Sequence, residues 1–167
     1  MKLFTLQQRI RDRLSTDWLT PSEQHVWEQL HRFDGPPHRV VNVYGPPGSG
    51  KSFLGWLMER ERYATYGFWA NRPKPILPRL VLDNARTDRA STRALRPQVD
   101  EQGIRQIILL SRLRVDEQAM PAFELRITED DLEYLRGNLY RHMDLILPET
   151  EGYHNYHDAI EAVLKRE

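Results

Sequence analysis

At 167 residues, with 40% apolar and 29% charged side chains, the chain can bury one sizeable core and has the balance of a soluble globular protein. It has no cysteine, which excludes disulfides and cysteine-held zinc, and no apolar run near the roughly 20 residues of a membrane span. The net charge of zero argues against wholesale nucleic-acid binding, although residues 115–167 carry 13 acidic and only 5 basic side chains, leaving the preceding part basic. The two regions could meet within one fold or head to tail between subunits. The first residues, Met1 to Arg9, lack the apolar core of a signal peptide, so a cytoplasmic location is expected.

In chain order, Leu3, Leu6, Ile10 and Leu14 form the apolar stripe of a helix over 3–14, flanked by Arg9, Arg11 and Arg13. A second helix is expected to start at Thr20-Pro21-Ser22-Glu23, with Ser22 as N-cap, and to stop before the turn at 34–37. Residues 39–44 read as the first strand.

That strand runs into Gly45-Pro46-Pro47-Gly48-Ser49-Gly50-Lys51-Ser52, followed by a helical stretch from Phe53 to about Ala64. Strand, glycine loop and helix are the setting in which such a loop cradles phosphates. The glycines let successive N–H groups turn inward, the helix N-terminus adds partial positive charge, and Lys51 supplies a full one. Ser52 is placed to ligate magnesium beside the phosphates. A nucleoside triphosphate is the expected ligand. No Asn-Lys-x-Asp guanine-reading motif is visible, which leans toward ATP.

A short second strand is expected at 67–70, then a proline-rich connection to a strand over 79–84 that ends in Asp83-Asn84. Residues 87–95 read as a helix closed by Pro97. On it Arg86, Arg89, Arg93 and Arg96, spaced three, four and three apart, would share one face. That face could be solvated, lie at a subunit interface, or touch nucleic-acid phosphates. Residues 104–112 form the longest apolar run, as in a fully buried strand. Residues 122–127 alternate like an edge strand, and Thr128-Glu129-Asp130-Asp131 opens a helix. A last helix covers about 156–165. Alternating strands and helices imply a parallel sheet of about five strands sandwiched by helices. The expected organisation is an N-terminal helical arm over 1–19, a nucleotide-binding core over 20–147, and a C-terminal helix over 148–167 packed on that core.

The phosphate loop, the acid-ending strand some 30 residues later and the strand ending in Ser111-Arg112 resemble the AAA+ and STAND branches of the P-loop NTPases over residues 20–145. The resemblance implies that Asp83 holds magnesium through water, and that Ser111 or Arg112 senses the γ-phosphate. It also implies a core that works with itself or with partner proteins, in roles such as prokaryotic signalling or defence. Active members usually place an acid after that aspartate; here the residue is Asn84, which can orient a water but cannot take its proton. Asp88 and Glu101 are candidate substitutes. Lys51, Asp83, Asn84 and Arg112 are therefore the expected catalytic set of an ATPase with weakened hydrolysis. No winged-helix, repeat or effector segment follows the core, which suggests a minimal switch. An ATP-dependent nucleic-acid loader and a small-molecule or nucleotide kinase are the alternatives.

Two lesser clusters complete the reading. Tyr63, Tyr66, Phe68 and Trp69 lie among arginines, as in a core edge or a base-stacking surface. His154 and His157, with Glu149 and Glu151 nearby, form a weak metal-ligand pattern.

Overall fold

A computed structural model describes residues 3–35, 37–147 and 152–165. Its elements, in order, are helices α1 (Leu3–Arg13) and α2 (Pro21–Arg32), strand β1 (Val40–Tyr44), α3 (Lys51–Arg60), β2 (Thr65–Phe68) and β3 (Arg79–Asp83). There follow α4 (Arg89–Arg93), α5 (Arg96–Glu101), β4 (Gln106–Ser111), β5 (Ala122–Glu124), α6 (Glu129–Met143) and α7 (Tyr156–Leu164).

The five strands form one parallel sheet in the order β2-β3-β4-β1-β5. β1 sits between β4 and β5, with Val43 opposite Leu110 on one side and Phe123 on the other. Side chains alternate across a strand, so each central strand feeds two cores. Val41, Val43, Val81, Ile108 and Leu110 pack into the larger cluster with residues of α1, α2, α3, α6 and α7. Val40, Leu80, Leu82, Ile107 and Leu109 pack into a smaller one with Leu95, Val99, Val115 and Met120. Helices on both faces are the architecture expected of a wholly parallel sheet. Leu6 and Ile10 of α1 and Ala159 and Val163 of α7 belong to the larger cluster. No described helix is long and apolar enough to cross a membrane.

Three expectations need correction. The N-cap of α2 is Thr20, not Ser22: Pro21 takes the first helical position, and a Glu23 carboxyl oxygen accepts the Thr20 N–H at 3.0 Å. Ser22 instead donates through N–H and hydroxyl to Asp131, at 2.8 and 2.6 Å, joining the starts of α2 and α6. The second strand begins at Thr65, two residues before the expected start, because its pairing with β3 sets the register of Thr65 opposite Leu80.

Third, the helix expected over 87–95 shrinks to the short α4, and Pro97, expected only to close it, sits in the first turn of a further helix, α5. Pro97 lacks an N–H and its ring would strike the carbonyl four residues back, so α4 cannot pass through it; the same fixed φ suits the first turn of α5. Arg86 therefore precedes α4, Arg89 and Arg93 lie within it, and Arg96 opens α5. The four do not share one helix face. Arg96 pairs with Glu117 and Arg86 lies 3.8 Å from Asp88.

Candidate functional site

The loop leaves β1 at Tyr44 and turns through a Ser49 N–H to Pro46 carbonyl bond of 3.3 Å. Gly50, at φ +92°, then launches α3. Only glycine adopts this backbone without strain, and a side chain there would collide with the Glu23 carboxyl group. Lys51, Ser52 and Phe53 open α3, so their N–H groups have no carbonyl within the helix. Lys51 Nζ donates to the carbonyls of Gly45 and Pro46 at 2.7 and 2.8 Å and to Ser49 Oγ at 3.1 Å. Burial pushes its ammonium below the usual lysine range; Asp83 opposes this and Arg112 adds to it.

Asp83, at the end of β3, is buried. Its Oδ2 accepts hydrogen bonds from Ser52 Oγ and Tyr66 OH, both at 2.6 Å, and its Oδ1 accepts the Asn84 N–H at 2.7 Å. A serine hydroxyl beside a carboxylate is the oxygen donor pair suited to magnesium. Burial, then the neighbouring Asp83, raises the Tyr66 phenol, so it stays a donor at neutral pH. Asn84 follows in the left-handed region at φ +53°, a conformation asparagine tolerates better than most residues.

The Ser111 hydroxyl accepts from Asn42 Nδ2 at 2.8 Å and donates to the Leu113 carbonyl at 2.7 Å. The Ser111 carbonyl receives the Gly45 N–H at 3.2 Å, steadying the start of the loop. Arg112 is exposed and, with Asn84 and Asp88, lines a shallow hollow at the carboxyl ends of β3 and β4. The structure thus joins Ser52 to Asp83 by a hydrogen bond and places the Lys51 ammonium, itself bonded to the loop, where it feels the Asp83 charge, while Asn84 and Arg112 line the hollow beyond. Asp88 caps α4, accepting the Ser91 N–H at 2.9 Å. Glu101 ends α5, just before the chain enters β4, and so lies toward the opposite end of the sheet from the loop.

Two contributors were not foreseen. Glu23 is buried beside Gly50, and burial pushes its carboxyl up to about 8, against the hydrogen bonds from Thr20. The spacing Thr20-x-x-Glu23 was the available signal. The start of α7 also reaches the loop. The Tyr156 N–H donates to the Gly48 carbonyl at 2.9 Å, and Tyr156 OH lies 2.7 Å from Thr20 Oγ1. Between α1, the loop and α7 lies a cavity of about 540 Å³.

Of the weaker clusters, Tyr66 belongs to the site, and Arg72 stacks 4.5 Å from the Trp69 ring centroid. Among the described residues no group of three metal-ligating side chains occurs. His157 pairs with Glu161 at 3.2 Å, while Glu149 and Glu151 lie outside the described residues.

Strand order, glycine loop and apposed aspartate are those of a P-loop NTPase fold. Among solved structures, the chain is similar to AMPPCP-bound DnaA from Aquifex aeolicus, with a TM-score of 0.62, 13% identity, and coverage of 92% of this chain and 66% of that one. It is similar to domain III of the Thermotoga maritima replication initiation protein DnaA, with a TM-score of 0.57, 15% identity and coverage of 91% and 88%. A third similar structure is the replication initiator DnaA bound to AMPPCP and single-stranded DNA, with a TM-score of 0.59 and 15% identity. The chain covers 59% of that protein's length. No protein-family profile and no curated protein matches the chain.

Proposed function

We propose that this protein is an ATP-binding switch of the AAA+/STAND kind, with slow or absent hydrolysis, that acts in an assembly with copies of itself or with partner proteins. The observation that carries the reading is the pairing of a complete phosphate-and-magnesium cluster with an amide where the hydrolytic acid would stand. Lys51 is held on loop carbonyls, which it can exchange for the outer phosphate oxygens. Ser52 and Asp83 would hold magnesium, which when bound neutralises phosphate charge. Asn84 can orient a water through its amide, but it leaves that water's proton in place. Asp88 is committed to its cap and Glu101 is remote. Arg112 supplies positive charge at the rim, where a γ-phosphate would be felt.

The test is ATP binding and turnover by the purified protein, with its mass in solution. Tight magnesium-dependent binding, lost in Lys51→Ala, with negligible turnover and a nucleotide-dependent change in mass, is expected. Rapid turnover abolished by Lys51→Ala would refute the slow-hydrolysis part.

A second reading, an ATP-dependent single-stranded nucleic-acid binder, is favoured by one similar structure holding single-stranded DNA. The exposed Arg86, Arg89, Arg93 and Arg112 could contact phosphates. Salt-sensitive binding that strengthens with ATP and falls in Arg89→Ala/Arg93→Ala would support it.

A further inference from the structure

The cavity extends well past the phosphate loop. Its far wall is α1, where Leu3, Gln7 and Ile10 share one helix face at spacings of four and three. Trp18, Trp56 and Ile160 supply further apolar surface. A slot walled by indoles and aliphatic side chains suits a flat aromatic ring.

The polar side chains along this cavity are nearly all committed. Thr20 and Tyr156 bond each other, and Glu23 caps α2. Asn155 and Asp158 pair at 2.7 Å, and His157 pairs with Glu161. Ser49 holds Lys51. Gln7 differs: it is half-buried, lines the cavity, and among the described residues its amide has no hydrogen-bond partner. A polar group on an otherwise apolar wall gains most from a ligand that completes its bonds.

Resting on the proposed nucleotide site, we infer that Gln7 is a specificity-determining residue that reads the base of the bound nucleotide and selects adenine. Phosphates on the Gly45–Ser52 loop leave the base to the remaining, apolar part of the cavity. A glutamine amide offers one donor and one acceptor side by side, which match adenine N7 and the N6 amino group. Guanine presents two acceptors, O6 and N7, on that edge, and the amide cannot match both with its donor and acceptor. The N-terminal helix is thereby part of the nucleotide site.

The experiment measures binding of ATP, GTP and inorganic triphosphate, each with magnesium, to the full chain and to two variants. Gln7→Leu should weaken ATP about tenfold, the loss of two net hydrogen bonds, and leave triphosphate unchanged. Gln7→Glu presents two acceptors, which suit the N1–H and N2 amino donors of guanine, so preference should shift from ATP toward GTP. If the wild type binds ATP and triphosphate but both variants keep its ATP-to-GTP ratio, the assignment of Gln7 is overturned and the nucleotide site stands. Binding of neither ATP nor triphosphate by the wild type would overturn both. Circular dichroism of each variant separates a lost preference from a lost fold. If Gln7→Leu does not fold, the Gln7→Glu ratio decides.

Discussion

Tyr66 and Ser52 donate to the same oxygen of Asp83, each at 2.6 Å. One donor opens the helix behind the phosphate loop, and the other stands on the strand beside β3. Asp83 is therefore aimed before any ligand arrives. Hydrogen bonds to a charged group are worth about 1.5–3 kcal/mol. Tyr66→Phe should lower unfolding stability by about that amount, read by denaturant titration, and should weaken magnesium-dependent ATP binding more than magnesium-free binding. Equal loss in both would mean that Tyr66 acts only in folding.

Glu23 makes stability depend on pH. Burial pushes its carboxyl up to about 8 in the fold, against 4.5 in the unfolded chain. Below 4.5 both states hold the proton and the native state loses nothing. Between 4.5 and 8 the unfolded chain releases it while the fold must keep it, so stability falls as pH rises through that window. The loss is on the order of a few kcal/mol. Glu23→Gln keeps an acceptor for the Thr20 N–H and removes the titration. Denaturant midpoints across this range should flatten in the variant.

Gly50→Ala should displace the loop. The left-handed backbone costs an ordinary residue about 1–2 kcal/mol, and the new methyl meets the Glu23 carboxyl group. Loss of ATP binding with reduced stability is expected. Adding Glu23→Ala should recover part of both, and a double-mutant cycle on stability and affinity measures the coupling.

Asn84→Glu restores a carboxylate where the amide now sits. Turnover should rise by about 100-fold or more if a missing base is the limitation, with ATP affinity little changed. The left-handed φ adds about 1 kcal/mol of strain. Single-turnover kinetics beside a stability measurement check both. Unchanged turnover would place the limitation elsewhere.

Local patterns carried much of this molecule into view. β1, β3 and β4 are buried on both faces, so they read as apolar runs, and the loop between β1 and α3 has a spacing that few other structures require. Thr128 and Asp131 cap α6 as their spacing implies. What escaped depends on neighbours brought together by the fold. Tyr66 meets Asp83 only because β2 and β3 pair in one register, and Tyr156 reaches Gly48 across more than 100 residues. The burial of Glu23 was not legible, since nothing in its local sequence shows that Gly50 will cover it. The break between α4 and α5 was legible at Pro97, but a proline that ends one helix can also begin the next.

The position of β1 has a consequence during synthesis. It is made before the other four strands of the sheet, yet both of its partners, β4 and β5, come more than 60 residues later. Until residues 122–124 have left the ribosome, one flank of β1 has no hydrogen-bonding partner, and the Leu125 N–H that meets the Tyr44 carbonyl at 2.7 Å is missing. Such late, long-range closure is slow and exposes strand edges. The nascent chain should therefore be most open to chaperones and proteases between emergence of the phosphate loop and that of β5, and a chain arrested before Ala122 should be unable to hold a nucleotide.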